Sequence, residues 1–434
     1  MIKQGVILAS GLGSRLNSEG RNEPKPLMPV GGMALIERVI TLMQSVGIEK
    51  VVVVVGYRGD QIREYIAKNN IQGVVFAENT EYNKKNGISL LRAKDCLDDA
   101  PFILSMSDHI FSNEFFADFL KKAESELAGK YDVVLSVDRN IEGVFDLDDA
   151  TKVVTENGEI TTIGKELSSY DAVDTGLFLC KTSVFPKLQE IYYAKGDVSI
   201  SDVMGMEARE GKFACAEMTG HLWQDVDTPS MKNEAEERLV DNFLDKDPSF
   251  AFFSNRFFAK SAKEAVLKCF ETEHFDWNML GTVVFIASLL LTAVALFAGV
   301  PQLSVATLLL VTFVFYLGKI RNNVRTVPLK SENFIFSWRF SFILAVLPVV
   351  LGTCDTLWVA LPLVVAMFGI SLSPSLLQRL ELPQIPESIA STWLSPSLFW
   401  IVYTVCVLIL PEWLAGFVPF CYFLFSPFSG EKRA

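Results

Sequence analysis

A glycine-rich turn near the N-terminus has the residue types needed to hold a polyphosphate. The apolar run over residues 5–9 leads directly into the motif SGLGSR at 10–15, and PKPL follows at 24–27. Glycines lack a Cβ, so backbone N–H groups in such a turn can approach a phosphate closely. Arg15 and Lys25 would supply cations that balance the charge of a triphosphate. The pattern predicts a nucleotide-phosphate site at the end of a strand.

This turn differs from two widespread nucleotide-binding motifs. The chain contains no G-x-x-x-x-G-K-[ST] sequence, which excludes a Walker loop. Leu16 stands where the dinucleotide fingerprint requires its third glycine, and the apolar run at 51–55 ends without the acidic residue that would bind a ribose. A dinucleotide-binding domain is therefore not expected.

Two acidic segments offer oxygen ligands for a divalent metal ion. Asp108 follows an apolar run in the motif SMSDH at 105–109, and Asp225 and Asp227 lie in WQDVDTP at 223–229. A carboxylate at the carboxyl end of a parallel strand lies where doubly wound folds expose their sites. An aspartate in such a position is also a common helix N-cap, and Asp227 precedes a predicted helix that begins at Pro229.

Two further segments combine polar residues with a nearby glycine. IGKEL at 163–167 contains Lys165, and VDTG at 173–176 follows it; a Lys-Glu pair alone would be ordinary solvated surface. EYNKKNGIS at 81–89 contains an Asn-Gly-x-Ser sequence.

Together these motifs resemble the nucleotidyltransferases that load sugar phosphates and related alcohol phosphates onto a nucleoside monophosphate. The resemblance implies that Arg15, Lys25 and Lys165 are catalytic, with Lys25 facing the triphosphate and Lys165 the acceptor phosphate. It implies a nucleotide site of Ala9, Ser10, Gly11, Gly13, Ser14, Asn86, Gly87 and Ser89, and an acceptor pocket of Asp174, Thr175 and Gly176. It also implies a Mg²⁺ ion held by Asp108 and Asp225, with Asp227 as an alternative or supporting ligand.

The region around Tyr82 bears on the choice of nucleobase. Enzymes of this superfamily that use UTP or dTTP tend to carry a glutamine five residues before the equivalent of Gly87, and this chain has Tyr82 there. The Asn-Gly-x-Ser, Ser-Asp-His and Trp-x-Asp-Val-Asp-Thr-Pro sequences resemble the cytidylyltransferases for inositol 1-phosphate or phosphocholine, over residues 1–240. The implied substrates are CTP and a phosphorylated alcohol. A uridylyl- or guanylyltransferase for a sugar 1-phosphate, and a nucleotide-sensing domain on a membrane transporter, remain as alternatives.

Alternating apolar and amphipathic segments in the first 240 residues predict an α/β domain of Rossmann-like type with a mostly parallel sheet. The predicted strands are 5–9, 51–55, 73–76, 102–106, 133–137, 172–180 and 213–217, and the predicted helices are 34–45, 59–68 and 88–95. The carboxyl ends of these strands would gather the motifs at one sheet edge.

Charge and cysteine content exclude several other classes. Residues from 279 onward contain 8 Lys and Arg and 6 Asp and Glu, out of chain totals of 39 and 51. The acidic character therefore belongs to the front part, which is unsuited to nonspecific nucleic-acid binding. The 7 cysteines are scattered without a C-x-x-C motif, so neither a zinc site nor a disulfide framework is expected. The strand at 5–9 is too short for a signal peptide, and the enzyme part should lie in the cytoplasm.

The last third of the chain is a different kind of sequence. Residues 241–278 form a predicted amphipathic juxtamembrane linker, and 279–434 a predicted helical membrane domain. About six spans are expected, at 279–299, 302–318, 338–353, 356–372, 395–411 and 413–427. A loop rich in Lys and Arg between the second and third spans predicts that both termini are cytoplasmic. The expected setting is a bacterial or archaeal plasma membrane, with membrane lipids as neighbours.

The tail departs from a known fusion partner of such cytidylyltransferase domains. Six-span CDP-alcohol phosphotransferases carry a D-G-x-x-A-R motif with further aspartates, whereas Asp355 is the one aspartate after residue 279. A second transfer step is therefore not expected in this chain, and a separate CDP-alcohol-using transferase could act downstream.

Overall fold

The computed structural model describes residues 2–13, 23–246 and 253–271, with separate positions between 283 and 324. The chain divides into two compact units, Met1–Leu239 and Val240–Ala434. Ser14 and Arg15, and nearly all of the predicted membrane spans, lie outside the described residues.

The first unit alternates strands and helices. The strands are β1 (Gln4–Ala9), β2 (Pro29–Val30), β3 (Met33–Ala34), β4 (Lys50–Val55), β5 (Val74–Glu78), β6 (Phe102–Met106), β7 (His109–Phe111), β8 (Val133–Asp138), β9 (Lys152–Glu156), β10 (Glu159–Gly164), β11 (Ala172–Cys180), β12 (Phe213–Glu217) and β13 (Trp223–Asp225). The helices are α1 (Leu35–Ser45), α2 (Gly59–Lys68), α3 (Asn86–Ala93), α4 (Phe115–Ala128), α5 (Val184–Lys195), α6 (Ile200–Arg209) and α7 (Pro229–Lys246). Short 3-10 turns occur at Lys25–Leu27, Lys94–Cys96 and Ile141–Gly143.

Nine strands form one sheet in the order β5-β4-β1-β6-β11-β8-β12-β10-β9. The pairs β4–β5, β1–β4, β1–β6 and β8–β12 are parallel. Strand β11 runs antiparallel to both β6 and β8, and β9–β10 is an antiparallel hairpin. The Rossmann-like α/β prediction is confirmed for this unit. The expectation of a mostly parallel sheet is wrong, because four of the eight neighbouring strand pairs are antiparallel: β6–β11, β11–β8, β12–β10 and β10–β9.

Both faces of the sheet are buried, which explains the continuous apolar strands. In β1, Ile7 belongs to a core cluster with α1 and α4, whereas Val6 and Leu8 belong to a second cluster with α3, α5 and α6. Successive side chains of a strand point to opposite faces, so each apolar run packs against helices on both faces of the sheet. This packing fixes the strand ends that carry the polar motifs.

The part of the second unit that is described contains α8 (Phe253–Glu271). Lys263 on α8 donates to Asp241 at 2.6 Å. Among the described residues, no helix combines the length and apolar character needed to cross a bilayer.

Candidate active site

A cleft of about 460 Å³ opens along the carboxyl edge of the sheet. It brings together most of the site residues predicted from the sequence, although those residues lie up to 217 positions apart. The predicted residues that line it are Ser10, Gly11, Gly13, Lys25, Asn86, Ser89, Asp108, Lys165, Asp174, Gly176, Asp225 and Asp227. The phosphate-turn, carboxylate and acceptor motifs thus share one cavity.

The glycine-rich turn packs against the segment that carries Lys25. Gly13 has φ +59°, and a Cβ there would stand 3.0 Å from the Cβ of Lys25. A side chain at position 13 would therefore be strained and crowded, since residues with a Cβ rarely adopt this conformation. Glycine allows the turn to pass close to the lysine.

Lys25 lies among the predicted metal-binding carboxylates. Its Nζ donates to Asp108 Oδ2 at 2.7 Å and also contacts Asp227 Oδ1. The other carboxylate oxygen of Asp108 is hydrogen-bonded to Nδ1 of His109 at 2.8 Å. Burial opposes ionisation of Asp108, but the Lys25 ammonium and the His109 hydrogen bond outweigh it and hold the pKa of Asp108 well below its usual range. Asp108 is therefore a stable anion.

Asp225 is carried to the same place by a small two-stranded sheet. Strand β13 pairs antiparallel with β7, and this register sets Asp225 opposite His109. Burial raises the pKa of Asp225 above its ordinary value, against the opposing influence of His109. The carboxylates of Asp108, Asp225 and Asp227 are the hard oxygen donors that Mg²⁺ prefers. No group of three or more His, Cys, Asp or Glu residues in the described part of the chain is already arranged as a metal site.

The predicted acceptor motifs also line the cleft, through Lys165, Asp174 and Gly176. Lys165 donates to Asp149 Oδ1 at 2.7 Å and keeps half of its side chain exposed. Asp174 Oδ1 accepts the Gly176 N–H at 2.7 Å, and burial raises the pKa of Asp174 to about 6. Gly176 has φ +82°, and a Cβ there would stand 2.6 Å from the His109 ring. Gly176 therefore packs directly against His109, the neighbour of Asp108.

Among the predicted site residues that the structure describes, three do not line the cleft. Ala9 and Thr175 are buried in β1 and β11, and the Thr175 hydroxyl donates to the Ser136 carbonyl at 3.2 Å. Gly87 is packed where a Cβ would stand 2.6 Å from the Val198 carbonyl oxygen. Next to it, Asn86 Oδ1 accepts the Ile200 N–H at 3.0 Å. These residues therefore pack beneath the cleft and hold the elements that line it.

The cleft also contains residues that the sequence motifs did not single out as site residues. They include Lys84, His109, Asp146 and Asp149. His109 could have been suspected because it follows Asp108, and Lys84 because it lies inside the EYNKKNGIS motif. Asp146 and Asp149 lie between predicted strands in a stretch without any motif, so no sequence signal pointed to them.

Comparison with known proteins gives consistent matches. Residues 5–209 match the model of the MobA-like NTP transferase domain. The bifunctional IPC transferase and DIPP synthase of Aquifex aeolicus is 31% identical over 300 residues, which cover 69% of this chain and 65% of that protein. The protein of the same name from Thermococcus kodakarensis is 35% identical over 240 residues, covering 55% and 51%. The 2-aminoethylphosphonate cytidylyltransferase of Lancefieldella rimae is 33% identical over 172 residues, covering 39% and 67%.

The chain spans between 44% and 65% of the length of the bifunctional relatives that it matches. Among solved structures, the inositol-1-phosphate CTP transferase from T. maritima is 26% identical with a TM-score of 0.47. That match covers 53% of this chain and 91% of the other.

Proposed function

This chain belongs, through residues 5–209, to the MobA-like NTP transferase domain family, and we propose that it transfers CMP from CTP to a phosphorylated alcohol. In this reaction an oxygen of the acceptor phosphate attacks the α-phosphorus of the nucleotide. The bond between the α-phosphorus and its bridging oxygen breaks, and pyrophosphate leaves. Inositol 1-phosphate and phosphocholine are the acceptors we favour.

The observation that carries this proposal is the sharing of one cleft by three groups of residues. The turn with Gly11 and Gly13 and the Lys25 ammonium suit a triphosphate, whereas Lys165 suits a second phosphate. The carboxylate of Asp108 lines the same cleft. For transfer, the two phosphates must be held close together in a reactive orientation. Binding both in one cleft removes much of the entropic part of the activation barrier.

Mg²⁺ suits the donor set of this centre. Asp108 and Asp225 would hold the ion, with Asp227 as an alternative ligand, and the bound ion would supply neutralisation of the charge that develops on the α-phosphate. Lys25 would then turn its ammonium to the triphosphate and assist the departure of pyrophosphate.

The choice of CTP is supported by Tyr82 and by the relatives. Tyr82 lines the cleft at the place where a glutamine would favour uracil or thymine nucleotides. One of the relatives is named an IPC transferase, and another is named a cytidylyltransferase. The alternative within the same chemistry is a sugar-1-phosphate uridylyl- or guanylyltransferase.

We also propose that the second unit attaches the enzyme to a membrane, with the enzyme part and both termini in the cytoplasm. Val283, Ile286, Leu290 and Val294 are helical, follow one another at three- and four-residue spacing, and are 51–63% exposed. An exposed apolar stripe of this kind suits a lipid environment. Attachment would deliver the CDP-alcohol to lipid or envelope-polymer synthesis, where a separate transferase would use it.

The membrane proposal is tested by fractionating cells that express the full chain. We expect the protein in the membrane fraction, resistant to alkaline carbonate washing. Recovery in the supernatant would contradict the attachment while leaving the transfer reaction untouched.

The transfer proposal is tested by measuring pyrophosphate release from the purified full chain in detergent with Mg²⁺. Four nucleoside triphosphates are combined with inositol 1-phosphate, phosphocholine and glucose 1-phosphate, and Asp108→Asn is the inactive control. The fastest release is expected with CTP and an alcohol phosphate. UTP or GTP with glucose 1-phosphate would favour the alternative transferase, and nucleotide binding without release would favour a sensing domain.

A further inference from the structure

Three neighbouring strands end at one corner of the cleft. Ser10 follows β1, Gly56 follows β4 and Asn79 follows β5. Ser10 lines the cleft together with Ser89 of α3, whereas Asn79 is 1% exposed and does not reach it. A fully buried amide directly behind two cleft-lining hydroxyls can act on a ligand only through those hydroxyls.

The hydrogen bonds of Asn79 fix the orientation of its amide. Asn79 Oδ1 accepts the backbone N–H of Glu81 at 3.0 Å. A backbone N–H can only donate, so this contact identifies the amide oxygen and turns Nδ2 to the other side. Nδ2 donates to Ser89 Oγ at 3.0 Å, and Ser89 Oγ lies 2.6 Å from Ser10 Oγ. The result is a chain of hydrogen bonds with a fixed donor direction, which runs from the end of β5 to the cleft.

The direction of this chain decides what the serine pair offers to a ligand. The two hydroxyls have two hydrogens, and one of them lies in the bond between Ser10 and Ser89. Because Asn79 donates to Ser89, it cannot accept the second hydrogen. No other partner for that hydrogen is found among the described residues. The pair therefore presents an O–H donor to the cleft.

Gly56 allows Ser10, Asn79 and Tyr82 to pack closely at this corner. A Cβ at Gly56 would stand 2.8 Å from the Cβ of Tyr82 and 2.9 Å from both the Asn79 carbonyl oxygen and the Ser10 Cβ. Such distances leave no space for a side chain, so the three residues converge tightly on the glycine. Tyr82 lines the cleft beside the serines and offers an aromatic face on which a nucleobase can stack.

We propose that Asn79 is a positioning residue that selects the nucleobase. By donating to Ser89, it makes the serine pair a hydrogen-bond donor toward the base. In this proposal the donor faces N3 of the base, which is an acceptor in cytosine but carries a hydrogen in uracil and would there meet the donor with another donor. The O2 atom accepts in both bases and does not discriminate. The inference rests on the proposed use of CTP and adds a buried residue that discriminates CTP from UTP.

Asn79→Asp is the sharpest test because it reverses the direction of the chain. The carboxylate keeps an oxygen for the Glu81 N–H but accepts at Ser89 instead of donating. Both hydroxyl hydrogens are then used inside the protein, and only lone pairs face the base. We expect the ratio of kcat/KM for CTP to that for UTP to fall about tenfold or more. Asn79→Leu removes the amide without adding an acceptor, so the serine pair keeps one free O–H and the ratio should fall less than in Asn79→Asp.

Asn83→Asp is the matched control. Asn83 lies on the same loop with its side chain exposed, so the same change of charge should leave the ratio within about twofold of the parent value. In a Ser89→Ala background, Asn79→Asp should no longer change the ratio, because the hydroxyl through which it acts is gone.

Dissociation constants of the full chain for CTP and UTP, measured by calorimetry, separate this inference from the transfer reaction. Preference for CTP in binding that falls in Asn79→Asp would support the inference even if no pyrophosphate were released. An unchanged CTP to UTP ratio in both Asn79 variants would overturn it. Equal weakening for both nucleotides would also overturn it, since that is the result of a purely structural role.

Discussion

Replacement of Asp174 by asparagine should make the first unit more stable at neutral and alkaline pH. Burial raises the pKa of Asp174 from 3.8 to about 6. The folded protein therefore holds a proton on this group more tightly than the unfolded chain does. The group's contribution to stability is most favourable below about pH 4 and is lost as the pH rises through about 6. Asparagine has no such dependence.

The size of the effect follows from the shift. A difference of about two pKa units corresponds to about 3 kcal/mol of unfolding free energy above pH 6. The asparagine oxygen can still accept the Gly176 N–H that lies 2.7 Å from Asp174 Oδ1, so little is lost in exchange. For a unit of this size, about 3 kcal/mol raises the melting temperature by about 6–12 °C.

Thermal melting of the full chain at about pH 8 and about pH 4 measures this prediction. Asp174→Asn should melt higher than the parent at the alkaline pH and near the parent at the acidic pH. Asp118→Asn serves as a contrast, because a hydrogen bond from His221 at 2.9 Å lowers the pKa of Asp118 and its loss should lower the melting temperature at the alkaline pH. Equal melting of Asp174→Asn and the parent at the alkaline pH would refute the reasoning.

We propose that Lys165 binds the acceptor phosphate and Lys25 the triphosphate. Lys165→Ala should therefore raise KM for the phosphorylated alcohol by about 10- to 100-fold, and Lys25→Ala should mainly lower kcat. Steady-state kinetics with each substrate varied decides this, and equal effects on both substrates would contradict it. Asp225→Asn should reduce Mg²⁺-dependent turnover more than Asp227→Asn in a folded protein, and the reverse order would exchange their roles. Gly176→Ala should lower acceptor affinity and melting temperature together, because its Cβ would meet an imidazole ring at 2.6 Å; unchanged kinetics would show that the turn can relax.

The sequence predicted the first half of the sheet well for a clear physical reason. The runs at 5–9 and 51–55 are continuous and apolar because β1 and β4 are covered by helices on both faces. The antiparallel insertion of β11 could not be predicted, because parallel and antiparallel central strands have the same buried composition. The β9–β10 hairpin lacks a regular apolar alternation, but its turn sequence Asn157-Gly158, with φ +52° and +83°, is a hairpin signal that could have predicted it.

Site residues could be predicted from the sequence where a chemically distinctive side chain lies at a turn next to a predicted strand. Lys25 and Asp108 lie at turns directly next to strands, and their residue types limit their roles. Thr175 belongs to the same motif as Asp174, yet its side chain points to β8, because alternate residues of a strand face opposite sides. Asn79 has no motif of its own, and its importance depends on contacts with residues ten positions and more away.

The pairing of Lys25 with Asp108 and Asp227 has a consequence for biosynthesis. The three residues come from positions separated by 83 and 202 residues, so the ionic centre cannot close until residue 227 has left the ribosome. At about 5–20 residues per second, this delay lasts about ten seconds or more. Nascent chains and products truncated before β13 therefore lack the completed centre.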